Sequence, residues 1–265
     1  MDILTSVILG AVQGLTEFIP VSSSGHLIIV RELFGINGGY SLAFDAVLHL
    51  ATSFAILVYF RKDIWKLLVT AYDWTLGKDI EKENRNLLVA LILGTIPVVI
   101  IALLFEQFIT DEIRKPLVVA VALIAGSIIF WLAEQVAEQN RQLTVRRGVL
   151  AGIFQIFALL PGMSRSGITI SGGLFMGLSR EVATRFSFLL AFPLVFGIGI
   201  KKLYDLGVDG LLLDFGLSLF VGSVTAFIFG VISISVMIKY LKNHTLTAFV
   251  IYRIILAVII LIVVL

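Results

Sequence analysis

Two stretches of this 265-residue chain carry polar side chains where nearly everything around them is apolar. The first, GAVQGLTEFIPVSSSG at 10–25 followed by His26, holds Gln13, Glu17, Ser22, Ser23 and Ser24. The second, GIFQIFALLPGMSRSG at 152–167, holds Gln155, Ser164, Arg165 and Ser166, with Thr169 just beyond. These residue types suit phosphate chemistry. An arginine presents a planar fork of donors that matches phosphate oxygens. A Ser/Gly turn that opens a helix offers free N–H groups and the positive end of the helix dipole. A serine near a histidine is a nucleophile–base pair, and an unperturbed imidazole titrates close to neutrality. Glu17 lies four residues after Gln13, on the same helical face. It can either orient His26 or help hold a divalent cation that bridges phosphate oxygens. If the two turns meet, they form one pocket for phosphoryl transfer. With no cysteine in the chain, thiolate catalysis and Cys-ligated metals are excluded. No nucleotide loop, metal cluster or nucleic-acid motif stands out.

The elements that must position these groups belong to a membrane. The chain is 59% hydrophobic and only 14% charged, against about 25% charged in an ordinary soluble domain. Mean hydropathy is +1.06. Each ionisable group placed in the bilayer costs about 2.5–3.5 kcal/mol on insertion scales. Glu17, His26 and Arg165 therefore need a function or a partner. A net charge of +2 is too small to suggest nucleic acid as a partner. Met1-Asp2 lacks a basic leader, so no cleavable signal is expected.

The polar turns also organise the chain. Shifting the sequence on itself lays Gly10 on Gly152, Gln13 on Gln155, Ser22 on Ser164, Ser24 on Ser166 and Gly25 on Gly167. Only the first copy has Glu17 and His26, and only the second has Arg165, so the copies have divided the chemistry. In both, the apolar run breaks at a proline and resumes for too few residues to span a bilayer, which takes about 20. That pattern predicts a re-entrant helical hairpin, whose non-helical backbone must be buried in protein or line a watery cavity. Three full spans follow each hairpin. The first set is expected at 44–60, 86–105 and 116–133, and the second at 186–203, 211–238 and 246–265. Charged loops are expected at 61–85 and 136–147, with a short loop at 106–115. The fold class is thus an all-α polytopic membrane protein, a single membrane domain of six full spans plus two re-entrant hairpins. Residues 1–135 form a first repeat and 146–265 a second. Three is odd, so the second repeat enters from the opposite side, an inverted topology that places sites near the midplane at the repeat interface. Thirteen of the 20 Lys and Arg fall in 61–85, 136–147, 178–185 and 239–245. The positive-inside rule assigns these to the cytoplasm and the first hairpin's mouth to the outside. Asp45 and His49, four residues apart at the start of a span, are expected to pair structurally.

QGLTEFIPVSSSGHL together with PGMSRSGIT resembles the bacterial undecaprenyl-diphosphate phosphatase family, also called the bacitracin-resistance protein family. The resemblance covers both hairpins and the placing of the spans. It implies a hydrolase of the plasma membrane, with its site facing the extracytoplasmic side. That enzyme converts a C55 isoprenoid diphosphate to the monophosphate, recycling the carrier lipid of cell-wall synthesis and conferring bacitracin resistance. It implies Glu17 as an essential acid, associated with His26 or with a divalent cation, Mg2+ or Ca2+. Ser23 and His26 are the nucleophile and base candidates, and Arg165 the diphosphate clamp. Gln13, Ser22, Ser24, Ser164, Ser166 and Thr169 are expected as supporting substrate contacts. Gln13 stands where many members have Glu, and a glutamine cannot be an anionic metal ligand. The expected partners are a polyprenyl diphosphate and membrane lipid, with a homodimer as a candidate assembly. The rival reading is an inverted-repeat transporter or flippase of polyprenyl phosphate, for which the fold plan serves equally well but which does not need Ser23 and His26.

Overall fold

A proline shapes each polar turn. The residue before a proline is driven out of the helical region. Ile19 ends the first helix at φ −70°, ψ 132°, ahead of Pro20, and Leu160 has φ −78°, ψ 115°, ahead of Pro161. In each turn a serine then takes a positive φ, 75° at Ser22 and 67° at Ser164. Each of these serines caps the helix that follows, its hydroxyl accepting from the N–H of Gly25 or Gly167. The local geometry of the first turn is thus repeated in the second.

This computed structural model describes residues 2–36, 41–105, 115–137, 140–208, 210 and 212–264. Among them every regular element is helical. The first polar stretch forms α1 (Ile3–Phe18) and α2 (Ser23–Leu33). After these come α3 (Ser41–Tyr59), α4 (Arg61–Thr75), α5 (Lys82–Leu104) and α6 (Pro116–Gln135). The second polar stretch forms α7 (Val145–Ile153), a 3-10 turn (Phe154–Leu159) and α8 (Arg165–Phe175). Helices α9 (Arg180–Val208), α10 (Leu212–Asn243) and α11 (Thr247–Val264) complete the chain. The expected loop at 106–115 lies outside the described residues except for Lys115.

Helices α5, α6, α9 and Gly216–Asn243 of α10 are long and apolar enough to cross a membrane. Helices α3 and α4 make a fifth if they count as one span, bent by 80° at Phe60. Ile3–Phe18 and Thr247–Ile262 are shorter apolar helices. Two expectations need correction. The stretch 61–85, expected to be a charged loop, contains α4. Trp65, Leu68, Val69, Tyr72 and Leu76 are all exposed and recur at helical spacing, forming an apolar stripe among the charges. The span expected at 186–203 is part of α9, which runs on to Val208 and so holds Lys201 and Lys202 well inside the helix.

The helices pack in reciprocal pairs. Helix α1 packs on α10, and α7 on α5, while α3 meets α9 and α6 meets α11. Small residues let the backbones approach. A Cβ on Gly10 would stand 2.3 Å from the carbonyl oxygen of Gly222, and one on its counterpart Gly152 would stand 2.6 Å from Cα of Gly94. Backbone cannot yield as a side-chain tip can. Gly152→Val is therefore expected to destabilise the protein by about 1–3 kcal/mol, read as a lower thermal midpoint in detergent. An unchanged midpoint would show that α5 and α7 can separate at no cost.

One end of the bundle gathers the basic segments. Glu134, at the end of α6, accepts from Arg180 at the start of α9 and from the N–H of Leu246, just ahead of α11. Arg185 of α9 reaches Asp63 of α4 at 2.8 Å, and the Arg141 N–H donates to the Gly177 carbonyl.

Candidate active site

The two polar turns meet. Arg165, the first residue of α8, donates from Nη2 to Glu17 Oε1 at 2.6 Å, joining residues 148 positions apart. Both side chains are nearly buried. Position explains the pairing. Glu17 is in the last turn of α1 and Arg165 in the first turn of α8, so each projects from a helix end at a proline-bounded break.

Glu17 is the hub of the site. Its Oε2 accepts from Ser23 Oγ at 2.8 Å and from Gln13 Nε2 at 2.9 Å. His49 Nδ1 lies 3.1 Å from the same oxygen and 2.8 Å from Gln13 Nε2. A carboxylate buried this far is tolerable only with such a set of donors. Ser22 and Ser24 hydroxyls stand 3.3 Å apart, and Ser164 and Ser166 repeat that spacing. The Thr169 hydroxyl is turned back onto the Arg165 carbonyl.

His26 is placed elsewhere. Its Nδ1 donates to the Ser22 carbonyl at 2.8 Å, which leaves Nε2 to accept from the Tyr252 hydroxyl at 2.6 Å. The imidazole stacks on that tyrosine ring across the α2–α11 contact. Its bonds therefore run to Ser22 and Tyr252, whereas the Ser23 hydroxyl is bonded to Glu17.

The i, i+4 spacing predicts that His49 pairs structurally with Asp45. Instead Asp45 pairs with Arg31, and His49 faces Glu17. The signal was available, since an imidazole in an apolar span is costly, but the i, i+4 spacing offered a nearer partner. Arg253 belongs to neither polar stretch. This fully buried arginine lies over the Phe130 ring and donates to Ser127 Oγ and to the carbonyls of Leu123 and Gly162. Through Gly162 it ties α11 to the turn that presents Arg165. A lone arginine in the C-terminal apolar run was the sign.

A cleft of about 330 Å³ opens above this cluster. Glu17, Ser23, His49, Ser164 and Arg165 line its polar part. Leu27, Val98, Leu194 and Ile198 supply apolar wall, and Asp45 and Lys202 also border it. The arrangement can hold an anion against Arg165 with a hydroxyl and a carboxylate beside it, next to an apolar channel. The donor set does not fit a carboxylate-bound cation. Both oxygens of Glu17 are committed to Arg165, Gln13, Ser23 and His49. Among the described residues no group of three His, Asp or Glu could ligate a metal ion.

Residues 6–259 match the family model of the bacitracin resistance protein BacA. An undecaprenyl-diphosphatase of Corynebacterium glutamicum is 43% identical over 254 residues, covering 94% of this chain and 86% of that protein. Undecaprenyl-diphosphatase 1 of Corynebacterium jeikeium is 45% identical over 253 residues, 94% and 89% of the two chains. An undecaprenyl-diphosphatase of Mycobacterium ulcerans is 42% identical over 260 residues, 96% and 94%. With almost the whole chain, residues 6–259, matched by the family model and relatives this similar, the chain belongs to the BacA bacitracin-resistance family.

Proposed function

We propose that this protein is an integral membrane phosphatase that hydrolyses undecaprenyl diphosphate to undecaprenyl phosphate and inorganic phosphate. The observation that carries this reading is the cleft that joins the Arg165–Glu17–Ser23 cluster to an apolar wall. It suits a substrate with an anionic head and a hydrocarbon tail. The names of the relatives supply the substrate class.

Ser23 is the nucleophile in this proposal. Its hydroxyl proton passes to the Glu17 carboxylate as Oγ bonds to the terminal phosphorus. The anhydride P–O bond breaks, and prenyl phosphate leaves. Water then attacks the phosphoserine, inorganic phosphate departs, and the Glu17 proton returns to Oγ. Arg165, whose Nη1 has no protein partner among the described residues, and the first-turn N–H groups of α2 and α8 would neutralise the phosphoryl oxygens. His49 and Gln13 hold the Glu17 carboxylate. His26 positions the first turn through the Ser22 carbonyl. Ser22, Ser24, Ser164 and Ser166 shape the two turns, and Thr169 holds the start of α8. The mechanism draws no step from a metal. Mg2+ or Ca2+ is proposed to enter with the diphosphate as its counter-ion.

The finer topology is proposed on the same footing. Helices α1–α2 and α7–α8 are the two re-entrant hairpins of an inverted repeat, with 1–135 and 146–265 as its halves and six spans in all. The mirrored serine caps and the reciprocal helix pairs support it. The gathered basic segments support a cytoplasmic assignment for that end, with the cleft opening to the extracytoplasmic side of the plasma membrane. There the enzyme would recycle the carrier lipid for cell-wall synthesis and confer bacitracin resistance.

The test is phosphate release from a C15 or C55 prenyl diphosphate by purified protein in detergent, with and without EDTA. Release is expected, and EDTA is expected to slow it. Tight binding of polyprenyl phosphate by folded protein without any release would favour a carrier instead.

A further inference from the structure

Gln155 is the counterpart of Gln13, yet its surroundings differ. Gln13 bonds Glu17 one helical turn on, whereas the residue four beyond Gln155 is Leu159. The backbone differs too, since α7 tightens into a 3-10 turn at Phe154, and such a mid-helix tightening often marks a functional position. Gln155 is fully buried, and among the described residues neither its Nε2 nor its Oε1 has a hydrogen-bond partner. It lines the same cleft as Arg165, on the wall formed by the 3-10 turn and Pro161. A buried amide with both polar atoms unpaired is costly and calls for a ligand.

We infer that Gln155 holds the phosphate that stays on the prenyl product, while Arg165, Glu17 and Ser23 handle the phosphate that is transferred. This rests on the phosphatase reading and divides its cleft into two phosphate subsites. The α1–α2 side carries the nucleophile, so the transferred phosphoryl group must lie there. The retained phosphate lies further along, towards the chain, where the charged cluster gives way to apolar wall. Gln155 is a polar side chain of that wall. An uncharged amide suits this place, because it binds the monophosphate through a hydrogen bond without the charge attraction that would hold the product.

The experiment uses full-length protein carrying Gln155→Met, which keeps the side-chain length and removes both polar atoms. Inhibition by the two products separates the subsites. The Ki of a prenyl monophosphate is expected to rise about tenfold, the worth of one hydrogen bond to a charged group, while the Ki of inorganic phosphate stays as in wild type. The thermal midpoint is expected to hold or rise, since no paired group is lost. Gln155→Glu is expected to weaken monophosphate inhibition further by like-charge repulsion. A lowered midpoint with unchanged Ki values in Gln155→Met would make Gln155 a packing residue and overturn the inference. So would a rise in the Ki of inorganic phosphate alone. If wild type releases no phosphate, it is the phosphatase reading that fails. If wild type is active and both variants match it, only the subsite assignment fails.

Discussion

Arg165→Ala is expected to lower kcat/KM on a prenyl diphosphate by about a thousandfold or more, in the range seen when a preorganised donor is removed from developing charge. Two roles are lost together. The unpaired Nη1 donor is gone, and Nη2 no longer meets Glu17 at 2.6 Å. The second loss leaves a buried carboxylate without its closest cation, and breaking a buried pair from one side costs about 3–5 kcal/mol. Thermal midpoints must therefore accompany the kinetics. Arg165→Lys sharpens the result. A single ammonium on a flexible stem cannot satisfy Glu17 and present a second donor to phosphate in a fixed fork. It is expected to recover stability more than activity. Activity of Arg165→Ala within about threefold of wild type would remove Arg165 from the site, because no displaced guanidinium of that importance is so cheaply lost.

The second large effect separates the two nucleophile candidates. Ser23→Ala is expected to reduce kcat by about a millionfold, the scale on which a covalent nucleophile is missed. His26→Ala is expected to cost about tenfold or less, since its bonds to the Ser22 carbonyl and Tyr252 hydroxyl orient the turn and a positioning bond contributes roughly 1 kcal/mol. Tyr252→Phe should then reproduce much of the His26→Ala effect. The order would be reversed if the imidazole itself attacked phosphorus. In that case His26→Ala would abolish turnover and Ser23→Ala would leave it largely intact. A phosphoserine trapped in acid-quenched wild-type protein, and absent from Ser23→Ala, would identify the intermediate directly.

The elements that could be read from the chain are those whose causes lie within a few residues. Pro20 and Pro161 end their helices by local sterics, and Ser22 and Ser164 cap the next ones by bonding an N–H three residues on. That chemistry repeats wherever the residues repeat, so both polar turns and their likeness were legible. Apolar length located four spans for the same reason. The stripe on α4 was equally local, and it was obscured because charges at 61–85 outweighed its 3.6-residue periodicity.

Partner choice followed a different rule. Ser23 lies three residues from His26 and six from Glu17, yet it bonds Glu17, because α2 turns the imidazole outward onto α11. His49 lies four residues from Asp45, yet packing of α3 near α1 delivers it to Glu17, while Asp45 goes to Arg31. Arg165 meets Glu17 only because the two breaks face each other in the fold. In a bilayer every buried ionisable group must find a partner. The sequence by itself determined that Glu17, His26 and Arg165 needed one. Which partner each found depended on how the helices cross, and close glycine contacts such as Gly10 on Gly222 and Gly152 on Gly94 decide that only in the assembled fold.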